Sequence, residues 1–105
     1  MVVLKIHYKT KKLEKILTSD RLIKKEYNEI ANKIMARISE LRTAENLSKV
    51  SHLPPVRRHK LKGYRNRFAV DLSKNYRLVF CSMDENISDI NNIKEIIIID
   101  IIDYH

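Results

Sequence analysis

Three side chains that can move protons or grip phosphate, Asp103, Tyr104 and His105, follow directly on the apolar run Ile96-Ile97-Ile98-Ile99-Asp100-Ile101-Ile102. Chain ends are usually frayed. A run of this kind is expected as a buried strand, so the three groups are expected on a rigid element, where a functional group gains most from its scaffold. A second set of reactive side chains lies upstream. The segment 54–77, PPVRRHKLKGYRNRFAVDLSKNYR, carries Arg57, Arg58, Lys60, Lys62, Arg65, Arg67, Lys74 and Arg77 against a single acid, Asp71, and includes His59. A basic block with a histidine, feeding into strands, is a candidate polyanion site. The question it raises is whether the block and the terminal triplet form one site.

At 105 residues the chain has room for one hydrophobic core, a single domain over 1–105. A hydrophobic content of 44% beside 32% charged residues is that of a globular protein. The net charge of +8 favours a polyanionic partner through steering and phosphate neutralisation. The excess is concentrated in 54–77, whereas 78–105 holds Lys94 against Asp84, Glu85, Asp89, Glu95, Asp100 and Asp103. The blander reading is a basic face that only keeps the protein soluble. Cys81, the lone cysteine, excludes a disulfide framework and fits a reducing, cytoplasmic setting; in Leu78-Val79-Phe80-Cys81 it reads as a small core residue. No secretory pattern follows Met1, and the isoleucine run is too short to span a bilayer as a helix. His7, His52, His59 and His105 have no metal-ligand spacing, so no metal site is expected.

The positioning elements follow from periodicity. Val2 to Tyr8 alternates as a strand, and Thr10 to Leu17 reads as a short helix. Thr18-Ser19-Asp20 supplies N-cap chemistry for a long helix to Leu41 or Thr43, with Ile23, Tyr27, Ile30, Ile34, Ile38 and Leu41 in one stripe. Residues 44–56 form a connector anchored by Leu47, Val50 and Leu53, and Pro54-Pro55 predicts an extended segment. Gly63 marks a turn. Arg67 to Leu72 and Tyr76 to Met83 read as strands joined by Ser73-Lys74-Asn75, and Ile93 to Ile102 as the central strand. The acidic loop 84–92 is placed away from any substrate. The fold class is α+β: a small, mainly antiparallel sheet with an N-terminal helical hairpin on one face, in the order β-α-α-β-β-β. Strict alternation puts Ile97, Ile99, Ile101, Asp103 and His105 on one face and Asp100, Ile102 and Tyr104 on the other.

Several of these residues also form spaced motifs. His59-Lys60-Leu61-Lys62-Gly63, then Arg65, Phe68-Ala69-Val70-Asp71-Leu72, Tyr76-Arg77-Leu78-Val79-Phe80 and the terminal Asp103-Tyr104-His105 together resemble the HigB-type toxins of the RelE/ParE superfamily, also described as plasmid-maintenance or host-killing toxins. The resemblance covers 54–105 through motifs and 1–53 through topology and a basic helical hairpin. One departure is that Gly63-Tyr64-Arg65-Asn66-Arg67-Phe68 lacks the family's second glycine and is one residue shorter.

The resemblance implies a RelE-like fold and the toxin of a type II toxin–antitoxin system. It implies a ribosome-dependent, metal-independent endoribonuclease with no cofactor, in which the RNA 2′-hydroxyl attacks the adjacent phosphate. The implied partners are the ribosome with its mRNA and a cognate HigA-like, helix-turn-helix antitoxin. His59, Lys62, Arg77, Asp103, Tyr104 and His105 fall on the family's site positions. By side-chain type His59 and His105 are the acid–base pair, and the α-carboxylate at His105 would raise its imidazole pKa. Asp103 orients a histidine or takes the 2′-proton. Arg77 grips phosphate, Lys62 is a point charge, and Tyr104 stacks on a base or hydrogen-bonds phosphate. Arg57, Arg58, Lys60, Arg65, Arg67 and Lys74 are read as contacts to RNA and ribosome. Duller roles stay open: a solvated His59, Arg77 paired with Asp71 across the hairpin, Tyr104 at the core edge, Asp100 paired structurally. So do two other functions on the same fold, a non-catalytic binding protein such as a gyrase poison, and an inactive homologue.

Overall fold

Side-chain oxygens start the first two helices of this computed structural model, which describes residues 2–103. Thr10 Oγ1 accepts the Leu13 N–H at 3.0 Å and opens α1 (Lys11–Leu17). Ser19 Oγ accepts the Leu22 N–H at 3.3 Å and opens α2 (Asp20–Tyr27). Each cap satisfies a donor that the first helical turn leaves without a partner. The single long helix expected after Ser19 is broken. Asn28 adopts φ 49°, a left-handed conformation that asparagine tolerates better than most residues. A 3₁₀ turn, Asn28–Ile30, then leads into α3 (Ala31–Thr43). The predicted stripe survives the break: Ile23, Ile34, Ile38 and Leu41 are buried in the core, and Tyr27 and Ile30 pack against it.

The sheet has five strands, β1 (Lys5–Tyr8), β2 (His59–Lys60), β3 (Arg67–Asp71), β4 (Tyr76–Ser82) and β5 (Glu95–Asp103), in the order β1-β5-β4-β3-β2. β1 runs parallel to β5, and all other pairings are antiparallel. The α+β architecture and the helical layer on one face are those expected; the short edge strand β2 falls in the basic stretch between the connector and Gly63, where the sequence predicts no element. Phe68, Val70, Leu78, Phe80, Ile96 and Ile98 face the helices and share their core, with the Phe68 and Phe80 rings stacked at 6.0 Å between centroids.

Strict alternation along β5 does not hold. Val79 pairs with Asp100 but its neighbour Phe80 pairs with Ile98, which leaves Ile99 as a bulge residue. One extra residue reverses the phase of everything after it. Ile97 therefore shares the face of Cys81, whereas Ile101 and Asp103 share that of Leu78 and Tyr76. The expectation that Ile97 and Asp103 lie on one face is overturned by this bulge. Tyr104 and His105 lie outside the described residues.

The connector also departs from expectation. Leu47 and Val50 are buried anchors, but Leu53 is 59% exposed. The Pro54–Pro55 peptide is cis, and the backbone turns instead of extending. Arg57 N–H donates to Leu53 C=O and Arg58 N–H to Ser51 C=O, each at 2.9 Å, so the segment folds back on its own start. Arg37, on the inner side of α3 and 5% exposed, ties that helix to the sheet: its Nε donates to the Asp71 carbonyl at 2.7 Å and its Nη1 pairs with Glu40. Arg37→Ala would strand that carbonyl and lower unfolding stability by about 1–3 kcal/mol. Lys33→Ala, on the exposed side of the same helix, should change it by less than about 0.5 kcal/mol in the same urea titration.

Candidate nucleic-acid interface

The sheet face turned away from the helices carries most of the groups singled out above, and the strand register arranges them in rows. One row runs His59–Ala69–Val79–Asp100 across β2, β3, β4 and β5. A second runs Asp71–Arg77–Ile102. A third runs Arg67–Cys81–Ile97–His7. Ala69 (0%) and Val79 (1%) are buried although no helix covers this face. Longer side chains of the flanking rows must close over them, which makes a small apolar floor edged by charge.

Asp71 is the electrostatic centre of the face. Its carboxylate accepts from Arg57 Nε at 2.6 Å and Arg57 Nη2 at 3.0 Å, a bidentate pairing, and lies 3.6 Å from Arg77 Nε. The hydrogen bond to Asp71 raises the pKa of Arg57. Arg57 itself sits at φ 48°, held there by the turn on one side and Asp71 on the other. Arg77 is thus found in the cross-hairpin pairing that the sequence left open. Arg57 is engaged internally too.

His59 stands beside this pair. Its Nδ1 lies 2.8 Å from the Arg57 carbonyl. A carbonyl only accepts, so Nδ1 carries the hydrogen and Nε2 holds the lone pair of the neutral ring. Nε2 is buried and has no hydrogen-bond partner among the described residues. A buried nitrogen in that condition is an unmet acceptor that a ligand hydroxyl would satisfy.

The other sequence-derived residues divide by placement. Lys60, Lys62, Arg65 and Lys74 are exposed, and Lys62 and Arg65 ride the turn between β2 and β3. Arg58 is half-buried and structural, its Nε donating to the Val50 carbonyl at 2.8 Å, and burial lowers its pKa. Arg67 stacks on the Tyr64 ring at 4.4 Å. This contact escaped the sequence reading, although a tyrosine interleaved with Lys62, Arg65 and Arg67 is the signal that would have pointed to it. Cys81 is half-buried; burial raises its thiol pKa, partly offset by Arg67 and Lys9. Asp100 accepts the N–H of Ile101 at 2.8 Å and is exposed.

The basic block and the terminal strand do abut. Arg77 is in register with Ile102, and Tyr76 with Asp103. His59 is farther off. Three strand spacings separate β2 from β5, about 14 Å, so His59 meets that strand only through a bound molecule or through side chains reaching across β3 and β4. The reading of Tyr104 and His105 as site residues lies outside the described residues. Among the described residues no three His, Cys, Asp or Glu side chains are grouped to hold a metal ion, and no helix is long and apolar enough to cross a membrane. In comparisons with known proteins, the chain matches no family model, no curated protein and no solved structure.

The geometry gives Asp71→Asn a defined outcome. The substitution keeps shape but removes the charge facing Arg57 and Arg77. Because the Arg57 side chain is 40% exposed, the loss is that of a partly screened pair, about 1 kcal/mol in a denaturant titration. The gap from wild type should narrow as salt is raised.

Proposed function

We propose that this chain is an RNA-cleaving toxin of the HigB type, acting on mRNA in the ribosome and held in check by an antitoxin. The observation that carries the reading is the partnerless Nε2 of His59, set beside an arginine pair on an open, basic sheet face. The motif resemblance supplies the reaction class: attack of the RNA 2′-hydroxyl on the adjacent phosphate. That reaction needs a base for the hydroxyl, cations for the crowded phosphate and an acid for the departing 5′-oxygen. The Nδ1–H bond to Arg57 fixes the His59 ring and leaves Nε2, covered in the free protein, as the nitrogen that a bound RNA must uncover to use. Arg77, already aimed across the face, trades part of its contact with Asp71 for a phosphate oxygen. Lys62 and Arg65 add exposed positive charge at one margin of the face. On this proposal Tyr104 and His105 complete the acid–base set, and Asp103, which shares the face of Tyr76 and not that of Arg77, is left out of it. The proposed setting is the cytoplasm, where the ribosome is met.

A second reading draws on the same atoms. Nε2 is covered, and Arg57 pairs with Asp71, as suits a surface that binds without cutting. Activity separates the two. Purified protein is expected to cut translated mRNA when bacterial ribosomes are present, and to do so equally after the protein has been treated with EDTA. Efficient cutting of naked mRNA, or none on ribosomes, overturns the first reading.

Variants locate the chemistry. His59→Ala, Arg77→Ala and deletion of His105 are each expected to slow cleavage by ~10²-fold or more. Lys11→Ala, on the helical side, should cut at close to the wild-type rate. Circular dichroism must find each variant folded. A folded His105 deletion that cuts at the wild-type rate removes the terminal histidine from the mechanism.

A further inference from the structure

Tyr64 is the one exposed tyrosine or phenylalanine among the described residues; Tyr8, Tyr27 and Tyr76 are half-buried, and Phe68 and Phe80 are core. Half of its surface is open, at 50% exposure. An isolated exposed tyrosine needs no explanation. This one is held in place. The Arg67 guanidinium lies 4.4 Å from its ring centroid, a cation–π stack that occupies one face of the ring. Arg67 in turn belongs to β3, in register with Cys81 on the open sheet face.

The turn that carries the ring is tied at its base. Leu61 N–H donates to the Arg67 carbonyl at 2.9 Å, and the Asn66 amide donates to the Ser82 carbonyl at 2.9 Å. Gly63, at φ 86°, allows the reversal. No acid occurs between Arg57 and Val70, so the turn carries Lys62, Arg65 and Arg67 alongside Tyr64 with no counter-charge of its own. A pre-set aromatic face amid unopposed cations suits one ligand class above others. Single-stranded RNA offers phosphates to the cations and a flat base to the ring. An acidic protein segment would use the charges and leave the ring idle.

We infer that Tyr64, backed by Arg67, is a stacking platform for one nucleobase of single-stranded RNA, adjacent to the open sheet face. The inference rests on reading that face as an RNA surface. It adds a base-contacting residue that no motif of the sequence assigns. Arg67 serves two purposes here: it fixes the ring plane and contributes charge for the neighbouring phosphate.

The test reads binding without ribosomes, so its result is separate from that of the cleavage assay. Fluorescence anisotropy would compare a short labelled single-stranded RNA with an all-abasic ribose-phosphate oligomer of equal length. Wild type should prefer the base-bearing oligomer. Tyr64→Ala should weaken binding to it by roughly tenfold, while binding the abasic oligomer as wild type does. Tyr64→Phe should retain the preference, because the ring and not the hydroxyl stacks. Arg67→Ala should weaken binding to both oligomers and flatten the salt dependence. An equal loss on both oligomers for Tyr64→Ala would mean that the ring only braces the turn, and would overturn the assignment. So would a wild-type protein that binds neither oligomer or does not distinguish them. If the preference holds but no ribosome-dependent cleavage occurs, the platform stands and the proposed activity falls.

Discussion

Four segments of this chain meet at one residue, Asp71, the sole acid of the basic segment 54–77. Its N–H donates to Val56 at 2.8 Å and its carbonyl accepts from Arg37 on α3 at 2.7 Å. Its carboxylate takes Arg57 from the connector and faces Arg77 from β4. Remove that negative charge and two guanidiniums are left side by side, with like-charge repulsion where there was attraction. The connector turn, the helix-to-sheet tie and the alignment of Arg77 all pass through this node. The orientation of His59 follows from it too, since the ring bonds to the carbonyl of the Arg57 that Asp71 holds.

The two faces of the sheet divide the work. Helices α1, α2 and α3 close one face with aliphatic side chains and the stacked Phe68–Phe80 pair. The other face has no helix, so its centre is built from small residues, Ala69 and Val79, that neighbouring polar side chains can cover. Such a floor lets charged groups stand close to one another without being sealed in an apolar interior, where an ion pair would cost more to desolvate than it returns. The bulge at Ile99 serves this division as well. It brings Ile102 alongside Arg77 on the open face while Asp103 goes to the other.

The cations are not one population. Arg37, Arg57 and Arg58 act as internal ties, to the Asp71 carbonyl, the Asp71 carboxylate and the Val50 carbonyl. Lys60, Lys62, Arg65 and Lys74 extend into solvent. A net charge of +8 therefore overstates the phosphates this face can neutralise, since counterion release counts cations that reach the polyanion and not those already matched. On the proposed function, the exposed margin would steer and hold RNA. The inner group would set the geometry at the phosphate to be cut.

By itself the sequence determined the elements that depend on local chemistry. The short helix from Thr10 to Leu17, the cap at Ser19, the stripe from Ile23 to Leu41, the hairpin around Ser73-Lys74-Asn75 and the α+β class all follow from capping, periodicity and turn residues within a few positions of one another. The concentration of basic residues around His59 was equally legible, because composition needs no fold. What required the tertiary structure was every feature set by distant partners. The break at Asn28 is a backbone choice inside an unbroken hydrophobic stripe. The bulge at Ile99 arises from pairing with β4 and leaves no mark in a run of identical side chains. The pairing of Arg57 and Arg77 with Asp71, and the covering of His59 Nε2, depend on residues up to twenty positions apart arriving at one point on a sheet. Alternation can count residues along a strand. It cannot see where a neighbour forces the count to slip, and that slip decides which face Asp103 shares.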